Sequence, residues 1–272
     1  MRVAASWCMT PNVGDALTPW LIKKLGLYDS AWVSPGFNSE HYLVTGSVLN
    51  WSNEHSVVWG AGLASWKDEV NPGADIRAVR GPLSLMRARS CGWARKITPP
   101  ALGDPALLVP ILLPKSAPSD RCGIVPHYVD MARFNQTDMG NVELIDPLLP
   151  VEEFCAKVSA CSFILSSSLH GLIIADAYGI PNEWAKFGDG IGGDSMKYWD
   201  HFASVGRTTI DIPPTPQDLR LMGSRDIVEQ IMSFDYQKAD PAVVRKAQHW
   251  LVETCPFLHD SVERRVRGAC TI

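Results

Sequence analysis

Short apolar runs that alternate with helical segments constrain the fold of this chain of 272 residues more than any other feature. The runs Tyr42–Thr45, Val57–Trp59 and Ile76–Val79 are largely apolar, as expected of strands that are buried on both faces. A helix is predicted to begin at Pro82 and to stop near Gly92. Because such alternation is typical of a parallel sheet covered by helices, the sequence predicts an α/β protein.

The alternation restarts after a polar, proline-containing stretch at Lys115–Asp120, which we interpret as a linker. A strand is predicted at Val142–Ile145 and a helix at Val151–Ala160, and the chain after residue 239 is predicted to be mostly helical. We therefore expect two Rossmann-like domains, residues 1–116 and 117–272, that face each other across a cleft. Ligands of such folds bind beyond the carboxyl ends of the strands.

Charge, cysteine content and hydropathy exclude several classes of protein. The net charge of −4 gives no sign of a general nucleic-acid binder. The seven cysteines are odd in number and include no C-x-x-C pair, so we expect reduced thiols and no metal site. The longest apolar run, Ala106–Leu113, is far shorter than the ~20 residues of a membrane span, which predicts a soluble cytoplasmic protein.

A serine-rich turn between a predicted strand and a predicted helix is the strongest candidate for a site. Ser166–Ser168 end the apolar run Ser162–Leu165, and His170 lies where the helix begins. Backbone N–H groups and the helix dipole favour an anion at such a turn, and His170 can donate a proton near neutral pH. A serine cap beside a structural histidine is the alternative. The other candidate ligand-binding residues of this turn are Ser167, Ser168, Leu169 and Gly171.

Two arginines follow the third predicted strand and could hold an anion. The planar guanidinium of arginine pairs with two oxygens of a carboxylate or phosphate. Arg77 and Arg80 are three residues apart, and a strand does not place such residues on one face. Arg80 is nearer the start of the helix, so we predict that Arg80 is the catalytic anchor and Arg77 a secondary contact.

The first strand-to-helix turn carries Asn12, Gly14 and Asp15. Gly14 lets a ligand approach the backbone, and Asp15 is either a base for a hydroxyl group or only a helix cap. Thr18, followed by Pro19 at the first helical position, is the other candidate cap of this helix, which is expected to end near residue 25. The further candidates for ligand binding are the glycines Gly60 and Gly62 and the histidine His127.

Together these segments resemble the polysaccharide pyruvyltransferase family, over residues 12 to 184. The segments that carry the resemblance are Asn12–Asp15, Val58–Gly62, Arg77–Ser84, Gly103–Pro105, Ser168–Gly171 and Gly179–Pro181. The short chain and the strand Leu43–Val48 are most similar to bacterial ketal pyruvyltransferases of exopolysaccharide assembly. Some members have an arginine where this chain has Ser168, so donor binding should depend more on Arg80, serines and backbone here.

The resemblance implies a fold like that of GT-B glycosyltransferases and phosphoenolpyruvate as the donor. It implies transfer of pyruvate onto two hydroxyls of a sugar, with donor contacts from the arginine segment and from Leu169 and His170. The residues fit this chemistry: Arg80 can anchor the donor, Asp15 can act as a base, and His170 can protonate the donor carbon or assist the departing phosphate. No metal or cofactor is required, because arginine and a helix end can neutralise the donor. The acceptor could be lipid-linked, which would bring the protein to the inner face of the membrane. The alternatives are a glycosyltransferase that uses a nucleotide sugar and a non-catalytic protein of polysaccharide assembly. The sequence identifies neither the acceptor sugar nor the oligomeric state.

Overall fold

Two parallel β-sheets with covering helices form the frame of the molecule, which confirms the predicted α/β class. The computed structural model describes residues 2–10, 12–94, 100–134, 141–207 and 237–270. Within these ranges no helix is long and apolar enough to cross a membrane.

The first sheet has six strands in the order β2-β1-β3-β4-β5-β6, and every neighbouring pair is parallel. The strands are β1 (Arg2–Ala5), β2 (Asp29–Trp32), β3 (His41–Leu43), β4 (Ser56–Trp59), β5 (Asp75–Val79) and β6 (Ala101–Leu102). All four residues of β4 are buried, as in a strand covered on both faces. The sequence did not predict β2, which has no buried residue, or β6, which has only two residues.

The second sheet has four parallel strands in the order β10-β9-β7-β8. The strands are β7 (Cys122–Val125), β8 (Val142–Leu144), β9 (Phe163–Ser166) and β10 (Asn182–Trp184). The described α-helices are α1 (Val13–Gly26), α2 (Pro82–Ser90), α3 (Val109–Leu112), α4 (Val151–Ala160), α5 (Leu169–Ala177), α6 (Met196–Ser204), α7 (Pro241–Glu253) and α8 (Asp260–Ala269). Short 3₁₀ segments lie at Leu49–Trp51, Pro105–Leu108 and Tyr128–Arg133.

Helix α1 begins earlier than the sequence predicted. Asn12 caps it, because its side-chain oxygen accepts a hydrogen bond from the backbone N–H of Asp15. The prediction that Asp15 or Thr18 is the cap is therefore wrong, and Pro19 lies inside the helix. The helix ends at Gly26, and the left-handed residue after it is Leu27, with φ of 56°.

The two sheets share one hydrophobic core. Helices α1 and α5 contact each other and pack on Pro105–Leu108, and their buried side chains belong to a single cluster. Helix α7 returns to the first sheet, where the indole N–H of Trp59 donates a hydrogen bond of 3.0 Å to the carbonyl of Leu251, and α8 packs on α1 and α7. The boundary at residues 116/117 and the likeness to the GT-B fold stay predictions.

Candidate functional site

A cleft of about 260 Å³ lies where the carboxyl ends of strands from both sheets meet. It is bounded by the start of α1, the loop after β3, the turn after β7, the start of α5 and the first turn of α6. This position is the one that parallel α/β sheets use for ligands. The predicted site residues that line it are Asn12, Gly14, Asp15, His127, Ser168, Leu169 and His170.

The three serines of the turn after β9 have different surroundings: two make hydrogen bonds within the fold, and one lines the cleft. Ser166 Oγ accepts from the N–H of Ser168 at 3.0 Å and donates to the carbonyl of Val125 at 2.9 Å. Ser167 is fully buried, and its Oγ accepts from the N–H of His127 at 2.7 Å. Ser168 is the serine of this turn that lines the cleft, at the amino end of α5. Ser166 and Ser167 therefore hold the turn in shape, and Ser168 faces the cleft.

The imidazole of His170 lies against a buried carboxylate that sequence reasoning did not connect to it. His170 Nε2 is 3.6 Å from Asp104 Oδ2, which is too long for a hydrogen bond but within ion-pair distance for a protonated ring. Neither atom has a hydrogen-bond partner among the described residues. Asp104 Oδ1 accepts from the N–H of Ala106 at 2.9 Å, which fixes the carboxylate. Asp104 can thus orient the ring.

Gly14 makes room for this ring. A Cβ atom at position 14 would overlap His170 Nδ1 and Cγ. Gly171 has a similar role on the other side of the turn, because a Cβ there would overlap Ser166 Oγ. Gly171 does not line the cleft; it allows α5 to pack closely on the second sheet.

Asp15 is a second acid–base group, next to the ring of His170. It is 9% exposed, and burial raises its pKa to about 6 despite the opposing effects of His170, Asn12 and Cys8. The amide of Asn12 donates a hydrogen bond to Asp15 Oδ2. A carboxylate with such a pKa can accept a proton near neutral pH.

His127 follows β7 and lines the opposite wall with Tyr128. Burial, followed by the charge of Lys197, lowers the pKa of His127 to about 4, so its ring is neutral at pH 7. Its Nδ1 is 3.4 Å from the N–H of Val129, which donates to it, and the rings of His127 and Tyr128 lie 4.4 Å apart. The aromatic residue Trp51 lines the cleft from the first half of the chain.

Arg80 lies behind the cleft and not in it, which corrects the prediction for its side chain. It is 0% exposed, its Nε lies 3.2 Å from Asp200 Oδ2, and one terminal nitrogen donates to Ser47 Oγ at 3.0 Å. Gly62 accommodates the guanidinium, since a Cβ there would overlap it. Gly60, with φ of 102°, likewise leaves room for the ring of Pro105, which a Cβ at position 60 would overlap. These two glycines thus shape the first half and do not line the cleft.

Arg77 is on the surface. Its side chain is 42% exposed and its Nε pairs with Asp75 at 2.9 Å. Among the residues that the structure describes, the lysine or arginine that lines the cleft is Lys197, in the first turn of α6, which the sequence did not predict. The sequence contained one signal that could have identified Lys197: a lysine at the amino end of a helix opposes the helix dipole.

Comparisons with known proteins indicate a family for this chain. The family model described as "Polysaccharide pyruvyl transferase" matches residues 55–182, which include β4, α2, Asp104 and the serine turn. An uncharacterized protein of Acanthamoeba polyphaga mimivirus is 29% identical over 177 residues, which cover 61% of this chain and 60% of that protein. No solved structure matches.

The succinoglycan biosynthesis protein ExoV of Rhizobium meliloti (strain 1021) is 31% identical over 216 residues, which cover 72% of this chain and 62% of that protein. The chain thus spans less than two thirds of the length of either relative. The family model covers the serine–histidine turn and the segment that places Arg80, and together with the similarity to ExoV it supports the polysaccharide pyruvyl transferase family for this chain.

Proposed function

We propose that this chain transfers pyruvate from phosphoenolpyruvate onto two hydroxyls of a sugar, in a bacterial polysaccharide or its lipid-linked precursor, and so forms a pyruvate ketal. The observation that carries the proposal is the placement of His170 between buried Asp104 and Asp15, at a helix start that lines the cleft. Ketal formation requires an acid next to a base, together with a helix end that binds an anion.

The reaction needs one proton to be added and two to be removed. His170 protonates the CH₂ carbon of the donor, and a sugar hydroxyl attacks C2 while Asp15 accepts its proton. The C2–O bond to phosphate then breaks, and the second hydroxyl closes the ring. Two hydroxyl protons are lost in total: one replaces the proton given to the methyl carbon, and the other leaves with inorganic phosphate.

Asp104 acts through His170 as a positioning residue. Its carboxylate, 3.6 Å from His170 Nε2, sets the direction of the ring. The N–H groups that begin α5 and the hydroxyl of Ser168 bind an anionic group of the donor. Arg80 supports the site from behind, through Ser47 and Asp200.

The shape of the cleft favours a small donor over a nucleotide sugar. Its volume of about 260 Å³ is below the ~300–1,000 Å³ of pockets that enclose drug-sized ligands. Trp51 and Tyr128 offer aromatic faces on which a sugar ring can stack. No metal or cofactor is part of the proposal, because a helix end and protein cations can neutralise the donor.

Release of inorganic phosphate from phosphoenolpyruvate, measured across a panel of saccharides, tests the proposal. We expect release that depends on an acceptor and is lost in His170→Gln. The same panel is run with nucleotide sugars in place of phosphoenolpyruvate. Nucleotide release there, without phosphate release from phosphoenolpyruvate, would refute the proposal in favour of a glycosyltransferase.

A further inference from the structure

Lys197 lines the cleft, and the carboxylates nearest to it in the chain are bound to other groups. It is half-buried in the first turn of α6, and its side chain lines the same cleft as His170 and Asp15. Its Nζ lies 5.2 Å from the centre of the Tyr198 ring. Among the described residues no carboxylate lies within ion-pair distance of this ammonium group.

The two carboxylates nearest to Lys197 in the chain are already used. Asp194 accepts from Ser65 Oγ at 2.8 Å and from the N–H of Trp66 at 2.9 Å. Asp200 pairs with Arg80 and accepts from Ser84 Oγ at 2.6 Å. Neither carboxylate is therefore available to neutralise Lys197.

The charged group that acts on the pKa of Lys197 is the positive Arg80. Burial and then the Arg80 guanidinium lower this pKa to about 8, and Lys197 in turn lowers the pKa of His127. The positive end of the α6 dipole adds to the same field. A half-buried ammonium in such surroundings is destabilised until an anion enters the cleft.

The fold nevertheless fixes Lys197 in this position. Asp200 is one turn further along α6 and shares a face with Lys197. Its carboxylate accepts hydrogen bonds from the N–H groups of Leu83 and Ser84, at 2.9 and 3.0 Å, and thereby ties α6 to the start of α2. The buried pair with Arg80 reinforces this link.

We propose that Lys197 binds an anionic group of the donor and performs the anchoring that the sequence analysis assigned to Arg80. The donor then has two anchors on different elements: the start of α5 with Ser168, and Lys197 on α6. This inference rests on the proposed phosphoenolpyruvate chemistry for the identity of the donor, although the cationic site itself does not.

Calorimetric titration of the full chain with phosphoenolpyruvate tests the inference. We expect Lys197→Met to weaken binding about 10- to 100-fold, because a hydrogen bond to a charged group is lost. Lys197→Arg keeps the charge and should stay within a few-fold of the unsubstituted protein. The control is Lys186→Met, since Lys186 is exposed and pairs with Asp189 at 3.2 Å. Circular dichroism checks that each variant is folded.

Titrations with inorganic phosphate and with pyruvate separate the two proposals and show which anionic group Lys197 holds. Phosphoenolpyruvate bound equally well by Lys197→Met and by the unsubstituted protein would overturn the role of Lys197 alone. Phosphate or pyruvate bound in a Lys197-dependent way, without binding of phosphoenolpyruvate, would keep the anion site and refute the proposed function. Absence of binding by all three ligands would overturn both.

Discussion

Two polar clusters lie one behind the other at the cleft, and they differ in how far their hydrogen bonding is satisfied. In the rear cluster, hydrogen bonds join Arg80 to Ser47 and Ser84 to Asp200, and Arg80 Nε, which makes no hydrogen bond, lies 3.2 Å from Asp200 Oδ2 in a buried ion pair. In the front cluster, formed by His170, Asp104, Asp15 and Lys197, the facing atoms of His170 and Asp104 have no hydrogen-bond partner in the described structure. A cluster joined by hydrogen bonds and a close ion pair contributes to stability, whereas one whose facing atoms make no hydrogen bond retains capacity for a ligand and for proton transfer.

Of the substitutions that distinguish the two clusters, His170→Gln should have the largest effect, and that effect is on turnover. General acid catalysis contributes ~10²–10⁴-fold, so kcat should fall by a factor in that range. Donor affinity should fall much less, because Lys197 and the start of α5 remain. The control is His55→Gln, whose side chain is 43% exposed and outside the cleft. Near-full turnover by His170→Gln would show that the front cluster has no acid at this position.

Arg80→Met should act on stability. Removing one partner of a fully buried ion pair leaves Asp200 uncompensated, which costs about 3–5 kcal/mol of the free energy of unfolding. Arg77→Met is the matched control, and its exposed pair should cost ~1 kcal/mol or less. Urea denaturation measures both. Equal stability of the two variants would contradict the assignment of Arg80 to the rear cluster.

Gly14→Ala should displace the His170 ring without removing it. A Cβ at position 14 overlaps the imidazole, and a shift of about 1 Å in a catalytic group can cost ~10²-fold. We expect kcat to fall about 10- to 100-fold with the fold retained. Gly268→Ala, in α8, is the control, because nothing lies within 4 Å of a Cβ there. Unchanged kcat in Gly14→Ala would show that ring placement is not limiting.

Asp15→Asn should increase stability while reducing turnover. Burial raises the Asp15 pKa from 3.8 to about 6, so the folded state holds this proton more tightly than the unfolded state. The stability that this proton provides is complete below pH 3.8 and is lost as the pH rises through 6. At pH 8 the variant should therefore be more stable by about 1–3 kcal/mol, and the difference should shrink between pH 6 and pH 4.

Urea denaturation at several pH values measures this difference, and phosphate release measures turnover. An Asp15→Asn protein that is less stable at pH 8 would mean that the hydrogen bonds from Asn12 outweigh the cost of burial.

Chelation should have the smallest effect. The described part of the chain has no cluster of three or more metal-binding side chains, and cations of the protein can neutralise the donor. Phosphate release should be the same before and after exhaustive treatment with EDTA. Loss of activity that magnesium or manganese restores would contradict a metal-free mechanism.

The sequence correctly predicted that His170 and Asp15 lie at the strand ends that form the cleft, but it misplaced Arg80, and the reason is physical. His170 and Ser168 were located because a buried strand, a polar turn and an apolar helix are local patterns. The burial of Arg80 depends on Asp200, which is distant in the sequence and becomes a neighbour only when α6 packs on α2. No local pattern distinguishes an arginine that faces a ligand from one that faces such a carboxylate.

The same limit explains why the sequence did not identify Asp104 and Lys197 as residues of the site. The turn Gly103–Pro105 was visible, yet its contact with His170 requires the two sheets to meet. Strands β2 and β6 were missed because hydrogen bonding to neighbouring strands, and not a hydrophobic run, defines them.

The hydrogen bond from Trp59 to Leu251 also affects how the chain folds during synthesis. This indole is fully buried, and its partner follows 192 residues later. A ribosome adds about 5–20 residues per second, so Trp59 waits roughly 10–40 s for α7 to emerge. During that interval a large aromatic face of the first sheet stays uncovered, and a chaperone that shields it would raise the yield of folded protein.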